Sequence, residues 1–303
     1  MRLIESKAEY IPQEEGLEGI YKMIELAGRT AYHSLDKITP DSAKDFVDRM
    51  IKSKHGAALE HGTVYLKVPC DIWKEEEHEW VYMFPEELPW VYLDCDGEYW
   101  YITTNYRHIL ENDVGIKTMN DYLCSPTEFH EKRYTMRLTC SRAIAQELTR
   151  HRVFSFLMES QRYINYSKER HGMDITFIKP SWLNCAYKDI PIESELCYLA
   201  KQYPDEAAHR FVASLVESKY AYMTLLQDGW PPQQARDVLP NATKTELIMT
   251  GFSSDWRHVM DLRLFGKTGA PHPDMVDLMQ KAQKAMQEAG IWEDIMSKPS
   301  KFE

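Results

Sequence analysis

Apolar residues recur at helical spacing through the N-terminal part of the chain. Within residues 17–34, Ile20, Met23, Ile24 and Ala27 share a face and the pattern ends near Gly28, which predicts an amphipathic helix. Residues 42–54 repeat the spacing with Phe46, Val47 and Met50, and Ser42 stands where a helix cap belongs. His55-Gly56 marks a turn, and 63–68 (TVYLKV) reads as a strand. From Arg133 onward, Met136, Cys140, Ala143, Ile144 and Leu148 are expected to form one helical face leading into an arginine-rich stretch. Residues 206–227 predict a long amphipathic helix with Phe211, Leu215, Tyr222, Leu225 and Leu226 on its apolar face, stopped by Gly229 and Pro231-Pro232. A short helix over 233–238 ends at Leu239-Pro240, and 245–250 reads as a strand. Ser254 or Asp255 is expected to cap a helix running through Phe265, and 273–288 forms a final helix. Helices alternating with a few strands, with no internal repeat, predict an α+β (mixed α/β) class, and 1–303 is read as a single domain.

Residues 71–132 break this pattern. They hold four of the eight tryptophans, and short β-like pieces at 90–93 and 98–104 alternate with turn signals. The segment carries 15 acidic residues against 4 Lys and Arg, with acid clusters at 74–77 and 86–87 and at Asp94, Asp96 and Glu98. It is expected to be an insertion, since neither the strand before it nor the helix expected after it needs it. Its aromatic content predicts that it is folded and packed.

The formal charge of the 303-residue chain is −11, which taken as evenly spread argues against a general nucleic-acid polymer or membrane-surface binder. The spread is not even. The deficit sits wholly in 71–132, and the rest of the chain balances 32 basic against 32 acidic groups. No apolar run approaches a membrane span, and the N-terminus lacks an apolar signal core. The six cysteines (Cys70, Cys95, Cys124, Cys140, Cys185 and Cys197) form no C-x-x-C pair. They are expected to be reduced, mostly buried thiols of a cytoplasmic chain, with no metal site.

Within 137–170 the balance reverses. Arg137, Arg142, Arg150, Arg152, Arg162, Arg170 and Lys168 face only Glu147, Glu159 and Glu169. Arginine presents a planar fork suited to phosphate and carboxylate. Val153, Phe154, Phe156 and Leu157 interleave with these cations, so they are not a solvated stripe and require partners. A bound anion is one such partner, and acids on neighbouring helices are the other. Arg236 and Arg263 sit in similar apolar settings, where a structural ion pair is the simpler expectation for each alone.

Arg150-His151-Arg152 followed after seven residues by Ser160 resembles the RHR-x7-S signature of the flavin-dependent thymidylate synthases. Arg162-Tyr163, Ala235-Arg236 with Leu239-Pro240, and Thr250-Gly251 … Trp256-Arg257-His258 … Leu262-Arg263 continue the likeness in order. His55-Gly56 and Glu60-His61 resemble its upstream turn. The likeness covers about 17–68 and 133–290.

The resemblance implies the thymidylate-synthase-complementing-protein fold, a β-sheet flanked by helices. It also implies reductive methylation of dUMP to dTMP, with methylenetetrahydrofolate as carbon donor and FAD, reduced by NADPH, as hydride carrier. No enzyme nucleophile is required. Carried over by position, Arg150, His151, Arg152, Glu60 and His258 would face FAD. Glu147, Ser160, Gln161, Arg162, Arg236 and Arg263 would hold dUMP. Arg263 takes the activating role, as a fixed cation beside an ionised uracil N3. Ser160 is a candidate nucleophile on pattern alone, but no Ser-His-acid order supports it and the resemblance implies binding. A homotetramer with shared active sites is also implied.

Phe252 and Ser254 depart from the pattern, standing where relatives commonly carry the Asn and Arg that touch FAD. Two other classes remain. One is a non-catalytic nucleotide or nucleic-acid module, in which Phe154, Phe156, Tyr163 and Tyr166 would stack on bases. The other is a family member without activity.

Overall fold

The computed structural model describes residues 1–71, 84–85, 88–112, 116–162, 164–168, 174–183, 206–300 and 302. Tyr163, Arg170, Cys185, Cys197 and the acid clusters at 74–77 and 86–87 lie outside the described residues. The strands are β1 (Arg2–Ile4), β2 (Lys7–Ile11), β3 (Thr63–Pro69), β4 (Tyr92–Cys95), β5 (Tyr99–Asn105), β6 (Arg133–Ser141), β7 (Ser155–Met158), β8 (Thr176–Ile178) and β9 (Lys244–Phe252). They form a four-stranded antiparallel sheet in the order β2-β6-β9-β7, a three-stranded antiparallel sheet in the order β3-β5-β4, and a parallel β1-β8 pair. The main helices are α1 (Gly16–Ala31), α2 (Ser42–Lys52), α3 (Arg142–Leu148), α4 (Glu206–Gln227), α5 (Ser253–Arg263) and α6 (Pro273–Glu288). The mixed α/β class expected from the patterning is the class observed. Among the described residues no helix is long and apolar enough to cross a membrane.

The helix expected from Arg133 is instead strand β6 followed by the short helix α3. Tyr134, Met136, Leu138 and Cys140 alternate with Thr135, Arg137 and Thr139, which is the period of a strand, and all four are buried in one core. β6 then pairs with β9 over nine positions, from Arg133 opposite Phe252 to Ser141 opposite Lys244. The Ser141 hydroxyl accepts from the Ile144 N–H at 3.3 Å and starts α3, whose Ile144, Ala145 and Leu148 join the same core. A helical spacing read across this strand–helix junction mixed two periods. Strands β1, β2, β7 and β8 are too short for their patterning to register at all.

The acidic segment is woven into the fold. β3 takes β5 as its partner along seven positions, and Val91, Ile102, Tyr106, Ile109 and Met119 share a core with Ile20 and Ile24 of α1 and Phe46 of α2. Burying a side chain of that size is worth about 1.5–3 kcal/mol, so the flanking elements depend on the segment, contrary to the expectation from sequence. Its expected β-like pieces correspond to β4 and β5.

α1 and α2 pack closely where Gly28 faces Phe46, and a Cβ at Gly28 would overlap the ring. The second core lies between the four-stranded sheet and α3, α5 and α6, with Trp256, Met275, Met279 and Met286 fully buried. The third joins β1 and β8 to α4 through Val212, Leu215, Val216 and Tyr222. At the start of α5 the cap is Phe252 rather than Ser254 or Asp255. Asp255 stands one turn inside and its Oδ2 accepts from the Phe252 N–H at 3.3 Å.

Candidate active site

The turn between α3 and β7 presents the arginine-rich motif. Backbone N–H groups of Arg150, His151 and Phe154 donate to the carbonyls of Glu147, Leu148 and His151 respectively, and these bonds close the turn. Phe154 anchors it from within, edge-on to Trp256 with ring centres 5.0 Å apart. The alternation around this anchor leaves Arg150 and Arg152 in solvent and buries His151.

α5 carries its own half of the site to that turn. Arg263 Nε donates to His151 Nε2 at 3.1 Å, and its NH1 lies 3.5 Å from Glu147 Oε2. Because Nε2 accepts, the His151 proton resides on Nδ1 and the ring is neutral. Burial first, then the charge of Arg263 and the nearby His258, hold His151 down at about 4. His258, five residues before Arg263 on α5, meets the His151 ring edge-on at 6.2 Å and stacks on Phe302 at 5.4 Å. Glu147 and His151 on one side and His258 and Arg263 on the other, two pairs more than a hundred positions apart in the chain, therefore form one constellation.

A second cluster lies beyond the far end of β7. Ser160 is half-buried and its N–H donates to the carbonyl of Ala31 at 3.1 Å, while Gln161 is buried and Arg162 exposed. Gln161 Nε2 lies beside the Tyr166 hydroxyl without a well-formed hydrogen bond among the described residues. Arg236 lies close to Arg142 at the start of α3, and burial, then the charge of Arg236, lower the Arg142 guanidinium below its usual value. Neither arginine forms an ion pair with an acid among the described residues. The neighbouring Glu159 is buried against Lys244, 3.0 Å away, which also reaches Glu246 at 2.8 Å. Two guanidinium groups that feel each other's charge, with Glu159 exerting only a weaker attraction on Arg142, favour a bound anion there.

Glu60 occupies a third place. Its Oε1 accepts from Arg107 NH1 at 2.7 Å, and its carbonyl accepts from the buried Arg133 at 3.3 Å. Arg133 NH2 also donates to the Ser155 hydroxyl at 3.3 Å, tying the Glu60 turn to β7. Glu60 and Arg152 line a common cleft of about 450 Å³ with Trp90, Arg107 and Phe154. Next to Glu60, His61 is fully buried, shares a 2.8 Å hydrogen bond with Thr250, and is held by burial at about 3.

A family model, thymidylate synthase complementing protein, matches residues 116–289, more than half of the chain. The chain belongs to this family. Among curated relatives, it is 26% identical to the flavin-dependent thymidylate synthase of Corynebacterium aurimucosum over 87% of this chain and 78% of that one. It is 28% identical to the enzyme of that name from Pyrococcus furiosus over 59% and 66% respectively. The relative from Mycobacteroides abscessus is 34% identical, over 41% of this chain and 46% of its own length. A looser structural likeness, TM-score 0.45 at 14% identity over 98% and 97% of the two chains, relates it to the UMP/dUMP methylase PolB from Streptomyces cacaoi.

The family match contains the motif turn, Arg236 and α5, but it begins after Glu60, Trp90 and Arg107. Sequence reasoning passed over three residues. Arg142 was only one arginine in a cluster. Arg133 stands at the start of the helix expected from sequence, whereas it is the buried first residue of β6. Arg107 had a readable signal, being the sole arginine in the acidic segment.

Proposed function

We propose that the chain converts dUMP to dTMP as a flavin-dependent thymidylate synthase, taking the carbon from methylenetetrahydrofolate and using NADPH to reduce FAD. The observation that carries this is the Arg263–His151–Glu147 constellation, in which a fixed cation is held by a neutral imidazole and one carboxylate. In the assigned role, Arg263 stabilises the negative charge of a uracil ionised at N3, which makes the ring carbon a better nucleophile without help from an enzyme thiol. His151 orients the guanidinium without adding a competing charge. Arg142, Arg236, Arg162 and the Gln161 amide fit the phosphate of dUMP, since at least two of these cations lack an acid partner among the described residues and the amide is poorly satisfied. Ser160 belongs with that binding loop.

Arg150, Arg152, Glu60 and His258 would hold FAD, and the donors fit a dinucleotide. His151, expected to face FAD as well, is buried with its Nε2 committed to Arg263 and is assigned the support of that guanidinium instead. Arg150 and Arg152 are exposed cations, with Arg152 on a cleft that Glu60 shares. The flavin supplies a hydride when bound. Of the four described thiols only Cys140 is fully buried, contrary to the expectation of mostly buried thiols. Burial pushes Cys140 up to about 12 and raises Cys124 to about 11, which disfavours either as a nucleophile.

The whole chain acts as one domain in a cytoplasmic homotetramer with shared active sites, a reading supported by the family membership and by reduced thiols. The decisive experiment is to purify the protein, record flavin absorbance, and follow NADPH oxidation with and without dUMP. A colourless protein that takes up no FAD overturns the proposal, and an active monomer in sedimentation overturns the tetramer.

A further inference from the structure

The cleft shared by Glu60 and Arg152 has a wall built from the acidic segment. Trp90 is 38% exposed there, and its Nε1 donates to His108 Nδ1 at 3.2 Å, which anchors the indole while leaving ring surface at the cleft. His108 is itself set by the cap of its helix, Asn105 Oδ1 accepting from the His108 N–H at 3.0 Å. Arg107, the neighbouring residue, is bonded by Glu60 at 2.7 Å and by Glu111 at 2.8 Å. Arg152 enters from the motif turn and has no acid partner among the described residues.

An exposed, anchored aromatic ring, two guanidinium groups and carboxylates in one 450 Å³ cleft match the parts of a nucleotide. A purine stacks on an indole, Arg152 takes phosphate, and the carboxylates that Arg107 holds in place accept from ribose hydroxyls. The carboxylates also carry a discrimination. A 2′-phosphate set against Glu60 and Glu111 would place like charges together, whereas a free 2′-hydroxyl can donate to them.

We propose that the wall formed by Trp90 and Arg107 binds the adenosine diphosphate part of a dinucleotide whose 2′-hydroxyl is free, and so contributes to holding FAD rather than the 2′-phosphorylated end of NADPH. The inference rests on the functional reading above for FAD but not for the binding of ADP itself.

The test uses the purified full chain, with tryptophan fluorescence and calorimetry against ADP, 2′,5′-ADP and FAD. The wild-type chain is expected to bind ADP at least tenfold more tightly than 2′,5′-ADP, with quenched fluorescence. Trp90→Phe should lose most of the quench. Arg107→Ala should weaken ADP and FAD about tenfold while dUMP affinity is unchanged, and Arg107→Lys should recover part of the loss. Glu60→Gln should narrow the preference for ADP. Thermal melting checks that each variant is folded, since a merely structural Arg107 would change the melt and leave ligand affinity alone. ADP binding indifferent to both Trp90→Phe and Arg107→Ala overturns the inference, and so does tighter binding of 2′,5′-ADP. If those variants are indifferent while FAD binding and dUMP-dependent NADPH oxidation persist, only this inference fails. If ADP binds as expected but FAD and turnover are absent, the functional reading and the contribution to FAD fail together, and the assignment of the wall to an adenosine diphosphate group stands.

Discussion

Replacing Arg263 by alanine separates the structural part of the constellation from its chemical part. The substitution removes the 3.1 Å bond to His151 and the 3.5 Å approach to Glu147. Glu147 stays a third exposed, but the buried His151 Nε2 loses its donor, so the cost in stability is about 1–3 kcal/mol. The catalytic cost is larger. A positioned charge lost from a site where negative charge develops lowers turnover by about 10²–10³, equivalent to roughly 3–4 kcal/mol. Turnover is measured by dUMP-dependent NADPH oxidation and by product formation, with flavin content read by absorbance. The His151 ring supplies a readout independent of turnover. Arg263 is the second cause, after burial, of its low value of about 4, so the imidazole should titrate higher in the variant when followed by NMR. Arg263→Lys keeps a charge but not the planar fork, and should fall between the two. Retention of turnover within a few-fold, with flavin and fold intact, would refute the role assigned to Arg263.

His151, held at about 4, and His61, held at about 3, both lie below the ordinary imidazole value of 6.5. The unfolded chain therefore binds more protons than the folded one below that value, and stability should fall as the pH drops from 6.5 toward 4. The His151 share is about 3 kcal/mol by the lower limit of that window. Urea titrations across the range check it, and a flat profile contradicts it. Arg142→Ala should change stability by no more than about 1 kcal/mol, because the half-buried guanidinium is repelled by Arg236 and attracted by Glu159, yet weaken dUMP about tenfold by calorimetry. Unaltered dUMP affinity would remove Arg142 from the phosphate site. Gly251→Ala places a Cβ in overlap with the Phe154 ring and should destabilise the chain by about 1–3 kcal/mol in thermal or urea unfolding, with lowered flavin content as the motif turn shifts. A melt equal to that of the wild-type chain would show that Phe154 is not an anchor.

Local information carried the long amphipathic helices. The apolar spacing in 17–34, 42–54 and 206–227 produces α1, α2 and α4 with residues of their expected faces inward, and the expected final helix over 273–288 is α6, because a helical face repeats often enough to be read without knowing what covers it. The motif residues were legible for a different reason. Arg150, His151, Arg152 and Ser160 are close in sequence, and a cation among apolar neighbours declares a need for a partner. The failures came where a decision depended on pairing. Residues 133–148 satisfied a helical spacing, but nine ladder positions on β9 made 133–141 a strand. Residues 71–132 looked dispensable because composition says nothing about which strand β3 will choose, and β3 pairs with β5.

Sequence alone thus determined the charge map, the helices and the chemical types of the site, with the acid in 71–132 and an arginine-rich stretch elsewhere. Tertiary structure decided which groups meet. It set Arg263 against His151 and Glu147, brought Arg142 within the field of Arg236, and made the acidic segment one wall of a cleft whose other side is Glu60 and the motif turn. Side-chain type and helical period are properties of neighbouring residues in the chain. Proximity across more than a hundred residues is settled only when strands pair and cores close.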